Sequence, residues 1–291
     1  MKVSGFTFIK NAERFGYPVV ESIKSVLPLC NEFIVAAGDS TDNTRSLIEN
    51  IGDRRIKIID TVWNPSLKTG GLVLADETNK AFKAIDSESD WAFYIQGDEV
   101  LHEKYIETVL DAMQRYLNDE NVDGLLFKYM HFWGSFDFIG ASSRWYRNEI
   151  RVIRNNSKIY SYMDAQGFRK NNDEKLNVKP IDAYIYHYGW VREPKKMQNK
   201  ALDIGQYWSE QGHDASKVKF DINDFDYSQI DMLKKFTGTH PAVMQNRIEK
   251  ANWKFDFDIS KNKPKFKDVF KDLIEKITGS RPFDYKNYRI I

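Results

Sequence analysis

The chain has 291 residues, room for one large domain with a smaller appendage or for two modest domains sharing a cleft. Its 43 Lys plus Arg against 42 Asp plus Glu leave a net charge of +1, which removes the electrostatic case for nucleic acid as the main ligand and favours a small molecule. A single cysteine, Cys30, excludes an internal disulfide and a thiolate metal cluster and suits a reducing, cytoplasmic setting, while no apolar run reaches the roughly 18 residues of a membrane span.

The first half alternates strand-like runs with helical patterns. Val3 to Ile9 reads as a strand, and Val19, Ile23, Val26 and Leu27 have helical spacing that stops at Pro28. Phe33 to Ala37 is a second buried strand, followed by a Gly-Asp-Ser-Thr-Asp turn and a helix with Leu47, Ile48 and Ile51 on one face. Ile56 to Ile59 is a third strand, Leu74 to Ile85 a helix, Trp91 to Ile95 a fourth strand, Tyr105 to Met113 a helix and Val122 to Tyr129 a strand. This alternation predicts a mainly parallel α/β sheet with helices on both faces.

Beyond Met130 the pattern changes. Ile150 to Arg154 and Ile181 to His187 read as strands separated by long aromatic and polar segments, so the sheet is expected to turn mixed. After Pro194 three segments read as helical: Met197 to Trp208, Met232 to Phe236, and Val269 to Ile277. The expected organisation is a catalytic unit over residues 1–193, with halves 1–130 and 131–193, and a mainly helical extension over 194–291.

In an open parallel sheet, ligands bind beyond the carboxyl ends of the strands. The first strand ends in Lys10, Asn11 and Glu13, the second in Gly38 to Asp42, the fourth in Gln96, Gly97, Asp98 and Glu99, so three polar clusters converge on one edge. Ser40 or Asp42 is read as a cap of the following helix. Asp98 is read as functional, because Gly97 permits close backbone approach and the adjacent carboxylates Asp98 and Glu99 suit a hard divalent cation bridging a diphosphate.

Three stretches in order carry a family resemblance. IKNAER (9–14), then IVAAGDSTDNT (34–44), then DWAFYIQGDEVLHEKYI (90–106) resemble family 2 glycosyltransferases of the GT-A fold, with their VKNE, VVDxGSTDxT and WxLxLDADExL segments. The resemblance covers about the first 130 residues. It implies a GT-A fold, a Rossmann-like mixed sheet with helices on both faces, here with a helical C-terminal extension. It also implies a nucleotide-sugar donor, a glycan or glycoconjugate acceptor, and Mn2+ or Mg2+ as cofactor.

By that resemblance Asp98 is the second Asp of the Asp-x-Asp motif and the metal ligand, while the first is replaced by Gln96. The base-reading Asp pair gives way to Ala37 and Gly38, leaving Asp39 as the candidate for that contact and the base unnamed. Lys10 and Asn11 fall near the nucleotide, and Asn79 matches the Asn of the family's Arg-Asn pair, whose Arg is Thr78 here. Lys68, in a Lys-Thr-Gly-Gly loop, is a candidate phosphate contact or a solvated loop lysine. His187 matches a late-strand His that several GT-A enzymes use as a further metal or diphosphate ligand, with Gly189 and Arg192 beside it; a His among aromatics is equally a packed core residue.

Inverting transfer needs a carboxylate base for the acceptor hydroxyl. Asp137, Glu149 and Asp164 are the candidates, Asp164 preferred, with Glu149 also readable as an ion-pair partner of Arg147 or Arg151. His131 and Trp133 are candidates for the acceptor site, or packing residues. The basic, aromatic tail from Arg281 to Ile291 has two readings, a peripheral membrane contact or a solvated cap. The rivals are a non-catalytic nucleotide- or carbohydrate-binding module that lost its first Asp at Gln96, and a nucleotidyltransferase, whose Gly-rich basic loop IKNAER does not provide. Neither a Gly-x-Gly-x-x-Gly nor a Gly-Lys-Ser/Thr phosphate loop is present.

Overall fold

A computed structural model describes residues 1–67, 69–205, 224–266, 269–271, 274, 277 and 286–291. The elements run β1 (Val3–Ile9), α1 (Ala12–Phe15), α2 (Val19–Val26), β2 (Glu32–Ala37), α3 (Thr44–Glu49), β3 (Ile56–Asp60), α4 (Leu72–Lys83), β4 (Trp91–Tyr94), β5 (Glu99–Leu101) and α5 (Ile106–Arg115). They continue with β6 (Gly124–Trp133), β7 (Phe138–Gly140), β8 (Asn148–Arg154), β9 (Ile159–Tyr162), β10 (Gly167–Lys170), β11 (Glu174–Lys175), β12 (Asn177–Trp190), α6 (Pro194–Gly205), β13 (Leu233–Lys235), α7 (Gln245–Glu249) and β14 (Arg289–Ile290).

The fold is mixed α/β, as expected. Strands β3, β2, β1 and β4 lie side by side in parallel. The sheet then turns mixed: β8 is antiparallel to both β4 and β6, and β6 is parallel to β12. Strands β1, β2 and β4 are buried on both faces, which is why they read as continuous apolar runs. The strand period of two sorts their side chains between two cores: Val3, Ile9, Phe33 and Trp91 pack with α2 and α5, while Phe6, Ile34, Ala92 and Tyr94 pack with α4 and with Phe168. Helix α2 buries Val19, Ile23 and Val26 and gives way to a short 3-10 turn containing Pro28, whose missing N–H and fixed φ end a helix interior.

Within 194–291, the helical reading of Met232 to Phe236 is corrected. Residues 233–235, read as helical, form β13 and pair antiparallel with β7; Leu233 is fully buried in an aromatic cluster while Lys234 and Lys235 face outward, and the adjoining Met232 is near-buried. Strand β14 pairs in parallel with the first residues of β12. The middle and the C-terminal end of this segment therefore belong to the main sheet. Positions 269–271, 274 and 277 are helical, whereas Trp208 and residues 278–285 lie outside the described residues. Among the described residues no helix is long and apolar enough to cross a membrane.

Candidate functional site

Parallel pairing in register brings the carboxyl ends of β1, β2 and β4 to one edge, with Ile9 opposite Ala37 and Phe6 opposite Tyr94. There a cavity of about 160 Å³ opens between Lys10, Trp63, Gln96, Asp98, Asp164, Lys200 and Asp203. Lys10, Gln96, Asp98 and Asp164 were expected from the sequence; the other three were not.

Asp98 is near-buried and held by its own backbone, whose carbonyl accepts from the Tyr188 amide at 2.8 Å. Gly97 is needed beside it, since a Cβ there would fall 2.7 Å from Ile9 Cδ1. The two carboxylate oxygens face different partners. Oδ1 faces His187 Nε2 at 3.8 Å, and Oδ2 accepts from Lys200 Nζ at 3.1 Å with Arg192 Nη2 at 4.0 Å. Burial alone would raise this carboxyl, but the charge of Lys200, with that of Arg192, holds it well below the usual carboxylate range.

Glu99, expected to share a cation with Asp98, does not. The strand pleat turns it to the opposite face, where it is fully buried and receives Arg151 through two bonds of 2.7 Å and Tyr129 Oη at 2.8 Å. Of the two partners expected for Glu149, Arg147 or Arg151, Arg151 is thereby committed to Glu99. Glu149 sits buried outside the cavity with Oε2 lacking a hydrogen-bond partner, and burial pushes its carboxyl up to about 8.

Asp164 lines the cavity in a tight loop between β9 and β10. Its neighbours Met163 and Ala165 both adopt left-handed backbone, at φ 52° and 60°, a costly conformation for side-chain-bearing residues that recurs at functional sites. Gln96 helps hold this loop, its amide donating to Ala165 O at 3.2 Å. Burial raises the Asp164 carboxyl above its ordinary value. Asp137 lies elsewhere, in the turn between β6 and β7, where its backbone N–H donates to Ser135 Oγ.

Lys10 reaches Asp39 at 2.9 Å and lies 5.3 Å from the centre of the Trp63 ring. Gly38 makes room for that indole, since a Cβ would fall 2.5 Å from Trp63 Nε1. Asp39 stays at the rim, its side chain 45% exposed, and also accepts from the Trp63 amide. Asn11 is a loop organiser: it is buried at φ 53°, and its side chain accepts from the Thr41 amide at 2.8 Å. Asp42 caps α3 through the Thr44 amide, as read. Asn79 is spent on structure, clamping the backbone of Ser161 in both directions at 2.9 and 2.7 Å. Lys68 lies outside the described residues.

His131 and Trp133, read as candidates to meet an acceptor, are buried instead. Trp133 donates to Tyr227 O within an aromatic cluster. His131 is stacked on Trp145 and placed beside His187, its partner in the β6–β12 register. His131 Nε2 lies 2.9 Å from Tyr146 O and His131 Nδ1 lies 3.1 Å from His187 Nδ1. A carbonyl only accepts, so Nε2 of His131 carries the proton and its Nδ1 is bare. His187 Nδ1 must then be the donor, which leaves His187 Nε2 a bare lone pair aimed at Asp98. Burial lowers the pKa of both rings, well below the ordinary value for His131, which keeps them neutral.

These donors fit a divalent cation. At 3.8 Å His187 Nε2 and Asp98 Oδ1 are too far apart to hydrogen-bond. Two ligands of one hard cation with bonds of about 2.1 Å lie between about 3 Å apart when adjacent and about 4.2 Å when opposite. The space over them is open because residue 189 is glycine: a Cβ would fall 2.5 Å from His187 Nε2 and 2.9 Å from Asp98 Oδ2. Among the described residues no group of three or more His, Cys, Asp or Glu side chains could hold a metal by itself, so the pair would need ligand oxygens or water to complete its shell.

Lys200, Asp203 and Trp63 carry little signal in the sequence. The first two sit in a polar stretch of α6, and only the docking of α6 against α1, with Arg192 donating to Phe15 O at 2.7 Å, brings them to the cavity.

No family model and no curated protein matches the chain. Among solved structures it is similar to S. aureus TarS, at 16% identity over 70% of this chain and 39% of that one, with a TM-score of 0.42. It is similar also to S. aureus TarS 1–349 in complex with UDP, at 16% identity over 71% and 65% and a TM-score of 0.42. A third is glucosyl-3-phosphoglycerate synthase from Mycobacterium tuberculosis in complex with Mn2+, UDP and phosphoglyceric acid, at 18% identity over 45% and 43% and a TM-score of 0.32. The chain thus spans 39% of the length of the TarS chain and 65% of its 1–349 segment.

Proposed function

We propose that the chain is a glycosyltransferase that takes a sugar from a nucleotide-diphosphate donor at the cavity beyond β1, β2 and β4. The observation that carries this reading is the bare His187 Nε2 facing Asp98 Oδ1 at 3.8 Å over Gly189, at the carboxyl edge of a parallel sheet. Asp98 and His187 would hold Mn2+ or Mg2+, which when bound supplies Lewis-acid stabilisation of the charge on the departing diphosphate. The remaining roles belong to the chain's own side chains. Trp63 offers an aromatic face and Lys10 a charge at the nucleotide end. Asp164, raised by burial and fixed in a strained loop, takes the proton of an acceptor hydroxyl on a glycan or glycoconjugate in an inverting transfer.

The test is a thermal-shift panel of UDP, GDP, CMP and TDP, with and without Mn2+, on the wild type and Asp98→Ala. Stabilisation by one nucleotide that requires both the metal and Asp98 is the expected result, and it names the base. Stabilisation independent of both would favour a non-catalytic binding module; no stabilisation by any nucleotide would remove the donor-site reading.

A further inference from the structure

Helix α6 brings to the cavity a lysine that the family resemblance does not assign. Lys200 Nζ lies 3.1 Å from Asp98 Oδ2 and 3.1 Å from Gly189 O, with its side chain 12% exposed and the Tyr17 ring centre at 4.8 Å. An ammonium carries three N–H donors, and these are its two acceptors among the described residues. A buried charged donor without an acceptor is costly, and Lys200 lines the cavity that also holds Lys10, Gln96 and Asp164.

The surroundings decide what the third donor is for. Arg192 lies beside Lys200, fully buried, with Nη1 and Nη2 committed to Phe15 O and Gly189 O and with Nε lacking a hydrogen-bond partner. Lys200, Arg192 and the Asp98–His187 pair thus occupy one end of the site, and Trp63 with Lys10 and Asp39 the other. Two cations face one carboxylate at the first end, which leaves a net positive charge suited to an anion. The matching anion is a diphosphate, whose oxygens accept charge-assisted hydrogen bonds.

We propose that Lys200 is the protein's diphosphate-binding residue, turning its free N–H to a phosphate oxygen of the donor while Asp98 Oδ2 and Gly189 O hold it in place. This rests on the donor-site reading of the cavity. Lys200 would then supply from α6 the positive charge absent where Thr78 stands.

The experiment measures binding rather than turnover. Mn2+ alone is titrated by electron paramagnetic resonance, and UDP and GDP, each against its monophosphate, are titrated by calorimetry with Mn2+ present, for wild type, Lys200→Met, Lys200→Gln and Lys200→Arg. The charge-removing variants should weaken the diphosphate by roughly tenfold or more and the monophosphate much less. They should also bind Mn2+ alone more tightly, because a cation beside Asp98 has gone, an effect that mere loss of packing does not produce. Lys200→Arg should retain most of the diphosphate affinity. Lys200→Gln keeps a donor for Asp98, so a folding defect in Lys200→Met does not decide the outcome. Wild-type diphosphate affinity in Lys200→Gln overturns the role of Lys200 alone. A wild type that binds neither Mn2+ nor either diphosphate overturns the donor-site reading and the role of Lys200 with it.

Discussion

His131 and His187 meet Nδ1 to Nδ1 at 3.1 Å, and the Tyr146 carbonyl 2.9 Å from the far nitrogen of His131 sets the direction of the protons along the pair. One backbone carbonyl thereby fixes the tautomer of a side chain two residues removed in the relay. His131→Phe keeps an aromatic ring against Trp145 and Tyr129 but gives His187 no acceptor. It should weaken Mn2+ binding by about tenfold or more, in line with the loss of other groups that orient metal ligands. Manganese titration by electron paramagnetic resonance checks this; unchanged affinity would show that His187 orients without help.

Gly189→Ala should separate metal binding from folding. No positive φ demands glycine at this position, but the added Cβ would sit 2.5 Å from His187 Nε2 and 2.9 Å from Asp98 Oδ2. His187 must turn aside, so Mn2+ affinity should fall by at least about tenfold. The thermal unfolding midpoint should drop far less than for a core truncation.

Glu99→Ala should destabilise the fold by about 3–5 kcal/mol, because it leaves Arg151 as an uncompensated buried charge. Urea denaturation measures this. A loss below about 1 kcal/mol, the range of an exposed ion pair, would mean that Arg151 finds water or another acceptor.

Glu149 makes a prediction about pH. Its folded-state pKa of about 8 stands above the ordinary 4.5, so between these values the folded chain holds a proton that the unfolded chain has lost. Stability is therefore largest below about 4.5 with respect to this group, and falls as pH rises through 8, with a slope of up to about 1.4 kcal/mol per pH unit. Glu149→Gln should remove that slope, as seen in urea midpoints between pH 5 and 8. Parallel profiles for the two proteins would show that Glu149 is ionised in the fold.

Asp164→Asn should lower the rate of sugar transfer by about 10²–10⁴-fold, the usual worth of a general base, and leave nucleotide and Mn2+ stabilisation intact. Equal loss of binding and rate would assign Asp164 to the donor rather than the acceptor.

The parallel half of the sheet was legible because β1, β2 and β4 are buried on both faces and carry uninterrupted apolar runs. The rule placing ligands at their carboxyl ends points to Lys10, Gln96 and Asp98, which line the cavity there. The side-chain assignments were less legible because neighbours in sequence diverge in space: Asp98 faces the cavity while Glu99 faces Arg151. Asn11, Asn79, His131 and Trp133 are polar or aromatic residues near the right strands, but their hydrogen-bonding groups are consumed by Thr41, Ser161, Tyr146 and Tyr227. Lys200 and Trp63 depend on how α6 and the loop after β3 fold back, which no periodicity encodes. The strand at 233–235 was misread because three apolar residues in a short segment fit either period.

Asp98 and His187 sit on adjoining rungs of one ladder, for Glu99 pairs with His187 and the Tyr188 amide donates to Asp98 O. Their spacing is therefore set by backbone hydrogen bonds rather than by loop motion. The Tyr188 amide should exchange with deuterium only when that ladder opens, and metal capture should be lost by the same opening. The affinity of the pair would then persist almost unchanged on warming and fail abruptly with the sheet, as a property of the fold's cooperative unit.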